Sequence, residues 1–319
     1  MSEAASRTAV APAGPAVSVV IPTHAGRATL ARALDSLLPN AAHVAEVLLV
    51  LSNSGADYAA WCAGAVQPYQ RYFGVRVLDS GSPSNASIAR NAGIAAATAP
   101  YVAFLDDDDE WMAHKLACYL AAIEQRGLAG DFVLFSTVVS CREDRSDWLL
   151  FPRVAYRGEP IGDFVLSPAG GVQTSAILLP TELARRVGFD PRLSRHTDYD
   201  FCIRLAEAGA VFHALSEPLS YWYRRGSGVA KGATFEFCAQ WLQANQHRIS
   251  RGAFVGYIEK DLLSSARASG RWREFARLQR AQLSAAEWLG SVLRLLLRAL
   301  RKLSHPGSAG RGGTYQPGG

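Results

Sequence analysis

The 319-residue chain is short of cysteine, of net charge and of long apolar runs, and each shortage closes off a class of protein. Its five cysteines, at 62, 118, 141, 202 and 238, are odd in number and form no CxxC pair. A disulfide framework or a zinc site is therefore not expected, and a reducing compartment fits best. No stretch reaches the roughly 18 apolar residues that a membrane span needs, so the expectation is a soluble, cytoplasmic protein. With 33 basic and 28 acidic residues the formal charge is +5, compatible with anionic ligands but too weak to imply nucleic acid. The absence of GxxxxGK[ST] removes the P-loop NTPases. Residues 1–16, MSEAASRTAVAPAGPA, lack a continuous apolar core and read as a flexible tail, not a signal peptide. What is present is ordinary for a packed protein: 49% hydrophobic and 19% charged residues, in a chain long enough for one large domain or a domain with an appended module.

From Val17 to about Leu105, β-rich runs alternate with helical stretches: VSVVI (17–21), EVLLVL (46–51), VRVL (75–78) and YVAFL (101–105). Ser84 or Asn85 can cap the helix that follows the third run. Runs apolar on both alternations must be covered on both faces, which predicts an α/β fold with a mainly parallel, doubly wound sheet. In such sheets ligands bind beyond the carboxyl ends of the strands, here Pro22-Thr23-His24, Ser52-Asn53-Ser54, Asp79-Ser80 and Asp106 to Asp109. Farther on, 131–139 and 174–179 read as strands, 196–209 as a helix closed by Gly209, and 210–215 as a further strand. From Thr234 the chain reads as helices, and after Ser304 as a Gly-rich, disordered tail.

The run Asp106 to Asp109 follows an apolar strand directly. As an isolated sequence it would be a solvated acidic loop. At the end of a central strand its charges repel, by about 4 kcal/mol for two unit charges 4 Å apart at an effective dielectric of 20. A magnesium or manganese ion relieves that repulsion, prefers oxygen ligands and bridges to a diphosphate.

Four segments then fall into place: VSVVIPTHAGRATLARALDSLL, SNASIARNAGIAAATAPYVAFLDDDDEW, GFDPRLSRHTDYDFCIRLA and LSYWYRRGSGV. In order and spacing they resemble family 2 glycosyltransferases of the GT-A fold, over Val17 to Gly228. The resemblance implies a non-processive, inverting enzyme moving sugar from a nucleotide-sugar donor to a saccharide or lipid-linked acceptor in cell-surface polysaccharide or glycolipid synthesis. It implies Mn2+ or Mg2+ on Asp106 and Asp108. Donor contacts would come from Pro22, Thr23, Arg27, Ser52, Asn53, Arg90, Asp106, Asp107, Arg224 and Ser227, and Asp198 would be the catalytic base. It divides the chain into a tail (1–16), a GT-A domain (17–230, with donor half 17–110 and acceptor half 111–230), a helical extension (231–304) and a second tail (305–319). Two positions depart from the family. Leu51-Ser52-Asn53 stands where an aspartate usually reads the nucleotide base, which leaves the base unassigned, and Thr197 stands where glutamate is common.

No QxxRW of the kind seen in processive synthases occurs. The loop PTHAGRATL has a single glycine, which argues against a sugar-phosphate nucleotidyltransferase. A catalytically degenerate sugar-nucleotide-binding or scaffold protein is the remaining rival.

Asp198 and Asp200 compete for the role of base. On a helix, Asp198 shares the apolar face of Phe201, Cys202 and Leu205, whereas Asp200 aligns with Arg204 and Glu207 on the expected solvated face. Asp198 is the expected base. Residues 288–303, WLGSVLRLLLRALRKL, carry an apolar stripe with Arg294, Arg298, Arg301 and Lys302 outside it. Such a helix packs on its neighbours or a partner subunit, or lies on the inner face of an anionic membrane.

Overall fold

A computed structural model describes residues 14–224 and 234–304, with side chains given up to 294 and at 296–297 within the last helix. The chain forms two compact units, one of residues 1–138 and 172–222, the other of 139–171 and 223–319.

The first unit opens with β1 (Val17–Thr23), α1 (Leu30–Leu37), β2 (Val44–Leu51), α2 (Ala56–Ala65), β3 (Gly74–Asp79), α3 (Ala86–Ala96) and β4 (Tyr101–Phe104). Every residue of β1 is buried, as expected for a strand covered on both faces. β1 pairs parallel with β2 (Val20↔Leu48) and with β4 (Val20↔Phe104), and β2 pairs parallel with β3 (Leu51↔Asp79). This register aligns the strand ends, so Thr23, Ser52, Asp79 and the residues after Phe104 share one edge of the sheet. Asn85 supplies the α3 cap, its side chain accepting from the Ile88 N–H at 2.9 Å. Gly93 lets α3 lie close on β1, where a β-carbon would overlap the Val20 side chain.

Beyond β4 the sheet becomes antiparallel. The chain continues through β5 (Glu110–Trp111), α4 (Lys115–Gln125), β6 (Phe132–Cys141), β7 (Leu149–Phe151), α5 (Ile161–Leu166), β8 (Ile177–Pro180), α6 (Thr181–Val187), α7 (Thr197–Glu207) and β9 (Val211–Tyr223). The strand order is β3-β2-β1-β4-β8-β6-β9-β5, with β8 antiparallel to both β4 and β6. The sheet is thus parallel across β1 to β4 and antiparallel where β8 and β5 join it. Two expected strands differ in extent. The segment 174–176 is a 3-10 turn ahead of β8, and the strand expected over 210–215 runs on to Tyr223.

In the second unit, β7 and α5 group with α8 (Phe235–Asn245), α9 (Arg251–Tyr257), α10 (Leu263–Ser269), α11 (Trp272–Gln282) and α12 (Ala285–Ser304). A π turn at Ile258–Leu262 joins α9 to α10. The expectation of helices from Thr234 onward holds.

Candidate active site

The loop after β1 is drawn onto the aspartate turn by a relay of hydrogen bonds. The Gly26 N–H donates to the Tyr58 hydroxyl at 2.9 Å, Tyr58 to Thr23 Oγ1 at 2.6 Å, and Thr23 to Asp107 Oδ2. Burial is the main cause pushing the Tyr58 phenol up to about 12, so it stays a neutral donor. A β-carbon at Gly26 would overlap the Asp107 carboxylate, so the close approach of the two loops requires glycine here.

The turn itself is closed by the Asp109 N–H on the Asp106 carbonyl at 3.0 Å. Each aspartate meets a different environment. Asp106 Oδ1 accepts from Arg90 Nη2 at 2.5 Å, and no described residue donates to its other oxygen. Asp107 takes the Thr23 hydroxyl. Asp109 turns inward, where Gln173 Nε2 and Ser175 Oγ each donate to its Oδ2 at 2.7 Å. The same Ser175 hydroxyl accepts from the Asp106 N–H at 3.0 Å. Asp108 is half-buried, its carbonyl accepting from Arg32 Nη2 at 2.9 Å. Protein donors thus meet part of the repulsion expected within the run: Arg90 at Asp106, the Thr23 hydroxyl at Asp107, and Gln173 and Ser175 at Asp109.

Arg90 is itself buried, lying 5.2 Å over the Phe189 ring. Helix α3 also clasps the segment leading to α7. Asn91 brackets the Phe189 backbone with two 2.8 Å bonds, Asn85 Nδ2 donates to the Pro191 carbonyl at 2.8 Å, and Ser87 to that of Leu193 at 2.9 Å. Phe189 stacks on Phe201 at 3.9 Å, and Phe104 meets both rings edge-on. The strand that delivers the aspartates thus packs directly on the helix that carries Asp198.

Helix α7 corrects the reading of its two carboxylates. Asp200 is 3% exposed and Asp198 only half-buried. The helical wheel places faces correctly, but the first turn projects past the core, so position on the wheel does not decide burial there. Arg204 folds back to donate to the Val187 carbonyl, and its Nη1 lies 3.9 Å from Asp200 Oδ2, which covers Asp200. Asp198 keeps access to solvent. Its helix begins at His196, a non-glycine residue with φ of 57°, a conformation common where a site stores strain.

The remaining expected residues are more dispersed. Pro22 and Ser52 are buried at the same sheet edge, and the Ser52 carbonyl accepts from His24 Nδ1 at 2.6 Å. The Asn53 amide is committed to Ser84, accepting from its N–H at 2.7 Å and donating to its carbonyl. Arg27 is exposed, 5.6 Å over Trp61. Arg224 belongs to the second unit, where it pairs with Asp147. Ser227 lies outside the described residues.

The donors at the turn suit a hard cation: Asp106 and Asp108 are two residues apart and offer only oxygen, with one Asp106 oxygen unused by any described residue.

Comparison with known proteins decides the family. The chain is 33% identical over 241 residues to the amylovoran biosynthesis glycosyltransferase AmsB of Erwinia amylovora, covering 73% of this chain and 79% of that one. Residues 18–170 match the family described as Glycosyl transferase family 2. The chain belongs to that family. Family 2 membership accounts for the fold seen in distant solved structures. S. aureus TarS 1–349 in complex with UDP-GlcNAc aligns with a TM-score of 0.54 at 16% identity, over 86% of this chain and 79% of that one. The mannosyltransferase PcManGT of Pyrobaculum calidifontis, in complex with GDP-Man and Mn2+, aligns with the same score and identity over 92% and 81%. The fold is therefore GT-A, and the chain is a family 2 glycosyltransferase.

Several residues of the site were not legible in the sequence. Tyr58, Gln173 and Ser175 reach it by tertiary packing. Lys115 is fully buried beside it, with Tyr119 Oη and Ser220 Oγ each 3.1 Å from Nζ, and burial holds its ammonium pKa well below the usual range. A lysine at the start of a helix carries no sequence signal of such burial.

Proposed function

We propose that this family 2 glycosyltransferase moves one sugar at a time from a nucleoside-diphosphate donor to an acceptor hydroxyl with inversion, in the building of a cell-surface polysaccharide or glycolipid. The observation that carries the reading is the aspartate turn at the carboxyl end of β4, where Thr23 pins Asp107, Asp109 anchors the turn, and Arg90 holds one oxygen of Asp106 while no described residue donates to the other. AmsB, named for amylovoran biosynthesis, supports a saccharide acceptor. The UDP-GlcNAc and GDP-Man complexes of the structural neighbours support a nucleotide-sugar donor.

In this reading Asp106 and Asp108 hold a divalent cation, Mn2+ or Mg2+. When bound, it neutralises charge on the departing diphosphate. Thr23 and Pro22 line the nucleotide pocket, Ser52 offers the base an uncharged partner, and Arg27 stands at the rim. Asn53, bound to Ser84, shapes the loop after β2. Arg90 fixes Asp106 in one rotamer and adds positive potential. Asp198 accepts the proton of the acceptor hydroxyl as its oxygen attacks the anomeric carbon, a single displacement that inverts configuration.

A panel of UDP-, GDP- and TDP-sugars, each with Mn2+, Mg2+ or EDTA, tests the reading by thermal shift and by release of nucleoside diphosphate. One donor class should raise Tm with metal and not with EDTA. If no donor shifts Tm under any condition, the reading fails.

A further inference from the structure

Helix α12 is amphipathic, yet its apolar side faces out. A surface helix ordinarily turns its apolar stripe to the protein and its polar face to water. Here Leu289, Leu293, Leu296 and Leu297 are 63%, 56%, 56% and 46% exposed, and Trp288 at the helix start is 37% exposed. The polar face holds the helix to the rest of its own unit. Ser291 is fully buried, and Arg294 donates through Nε and Nη2 to Glu259 Oε1 at 2.9 and 2.6 Å. Arg251 grips both oxygens of Glu287 at 2.7 Å each. Charge-assisted pairs of this kind fix the rotation of the helix about its axis and so present the leucine row outward.

The charge of the helix says what should cover that row. With Arg294 paired to Glu259 and Glu287 to Arg251, the sequence of the helix adds Arg298, Arg301 and Lys302, a charge of +3. Two copies meeting through this face would bring like charges together, whereas an anionic surface would attract them. No helix among the described residues is long and apolar enough to cross a membrane. Residues 288–303 are long enough, at about 24 Å, to lie flat on such a surface with the exposed Trp288, Leu289, Leu293, Leu296 and Leu297 toward the acyl boundary. We propose that α12 docks the second unit on an anionic lipid surface through Trp288, Leu289, Leu293, Leu296 and Leu297. This inference does not depend on the identity of the donor or on the catalytic residues.

Flotation of the full chain with phosphatidylcholine vesicles, with and without phosphatidylglycerol, tests it. The chain should float with the anionic vesicles and lose part of that binding in high salt. The combined substitution Leu289→Ser, Leu293→Ser and Leu296→Ser alters exposed positions only, so circular dichroism should be unchanged. It should cut partitioning about tenfold or more, because three leucines leave the apolar boundary. A second variant, Arg298→Gln with Arg301→Gln and Lys302→Gln, should abolish the preference for phosphatidylglycerol. Failure of the parent chain to float, or flotation of the serine variant equal to the parent, overturns the proposal. So does a parent dimer, seen by light scattering, that the serine variant converts to monomer without any vesicle binding.

Discussion

Replacing Arg90 with methionine removes the cation that holds Asp106 while keeping most of the side-chain volume. The Arg90 side chain is 6% exposed, its partner Asp106 is 25% exposed, and their N–O distance is 2.5 Å. Breaking a buried pair by removing one partner typically costs 3–5 kcal/mol, because a charge is left uncompensated. Asp106 keeps some access to water, so the cost falls to the bottom of that range or just below it, about 2–3 kcal/mol. Asp106→Asn should also destabilise, but the double variant should lose less than the sum of the two. The expected coupling is about 1.5–2.5 kcal/mol, well outside the ~0.5 kcal/mol scatter of independent sites. Urea unfolding of the four proteins in EDTA reads it directly, with midpoints compared at constant slope. Additivity within that scatter would refute the claim that Arg90 exists to hold Asp106, and would return it to a general packing role on Phe189.

Other substitutions separate the remaining roles. Asp198→Asn should lower sugar transfer by at least about 10³-fold while leaving donor affinity within twofold, as loss of a positioned base predicts; Asp200→Asn should instead act mainly on Tm. Gly26→Ala should displace Asp107 and weaken donor binding about tenfold or more in a calorimetric titration, because the added carbon overlaps the carboxylate. Lys115 titrates in the folded state well below its ordinary value, through burial. The unfolded chain then binds more protons between that lowered value and about 10.4, so stability climbs with pH across the window. Lys115→Met should flatten this climb in urea midpoints taken from pH 6 to about 10.

The parallel half of the sheet was legible because β1, β2 and β4 are apolar on both alternations, which only a doubly covered strand tolerates. Its register put Thr23, Ser52 and the aspartates on one edge, as the ends of the apolar runs implied. The Asn85 cap was equally legible, being a local interaction between neighbours in sequence. What failed to show was whatever depends on distant groups. Asp200 was expected on a solvated face and is covered by the fold-back of Arg204. Tyr58 sits in the first turn of α2 with nothing local to mark its hydroxyl as the link between two loops. The strand expected over 210–215 runs on to Tyr223, because pairing partners, not propensity, decide where a strand stops. In α12 periodicity revealed a stripe but not the side on which the protein lies; the ion pairs of Arg294 and Arg251 decide that.

The account rests on Asp108, with Asp106, holding a cation against the donor. Calorimetric titration of nucleoside diphosphate into the protein with Mn2+, compared between the parent chain and Asp108→Asn, tests this most directly. The prediction is metal-dependent binding in the parent and an affinity at least about tenfold weaker in the variant. Equal affinity in the two proteins, or binding indifferent to Mn2+, would contradict it.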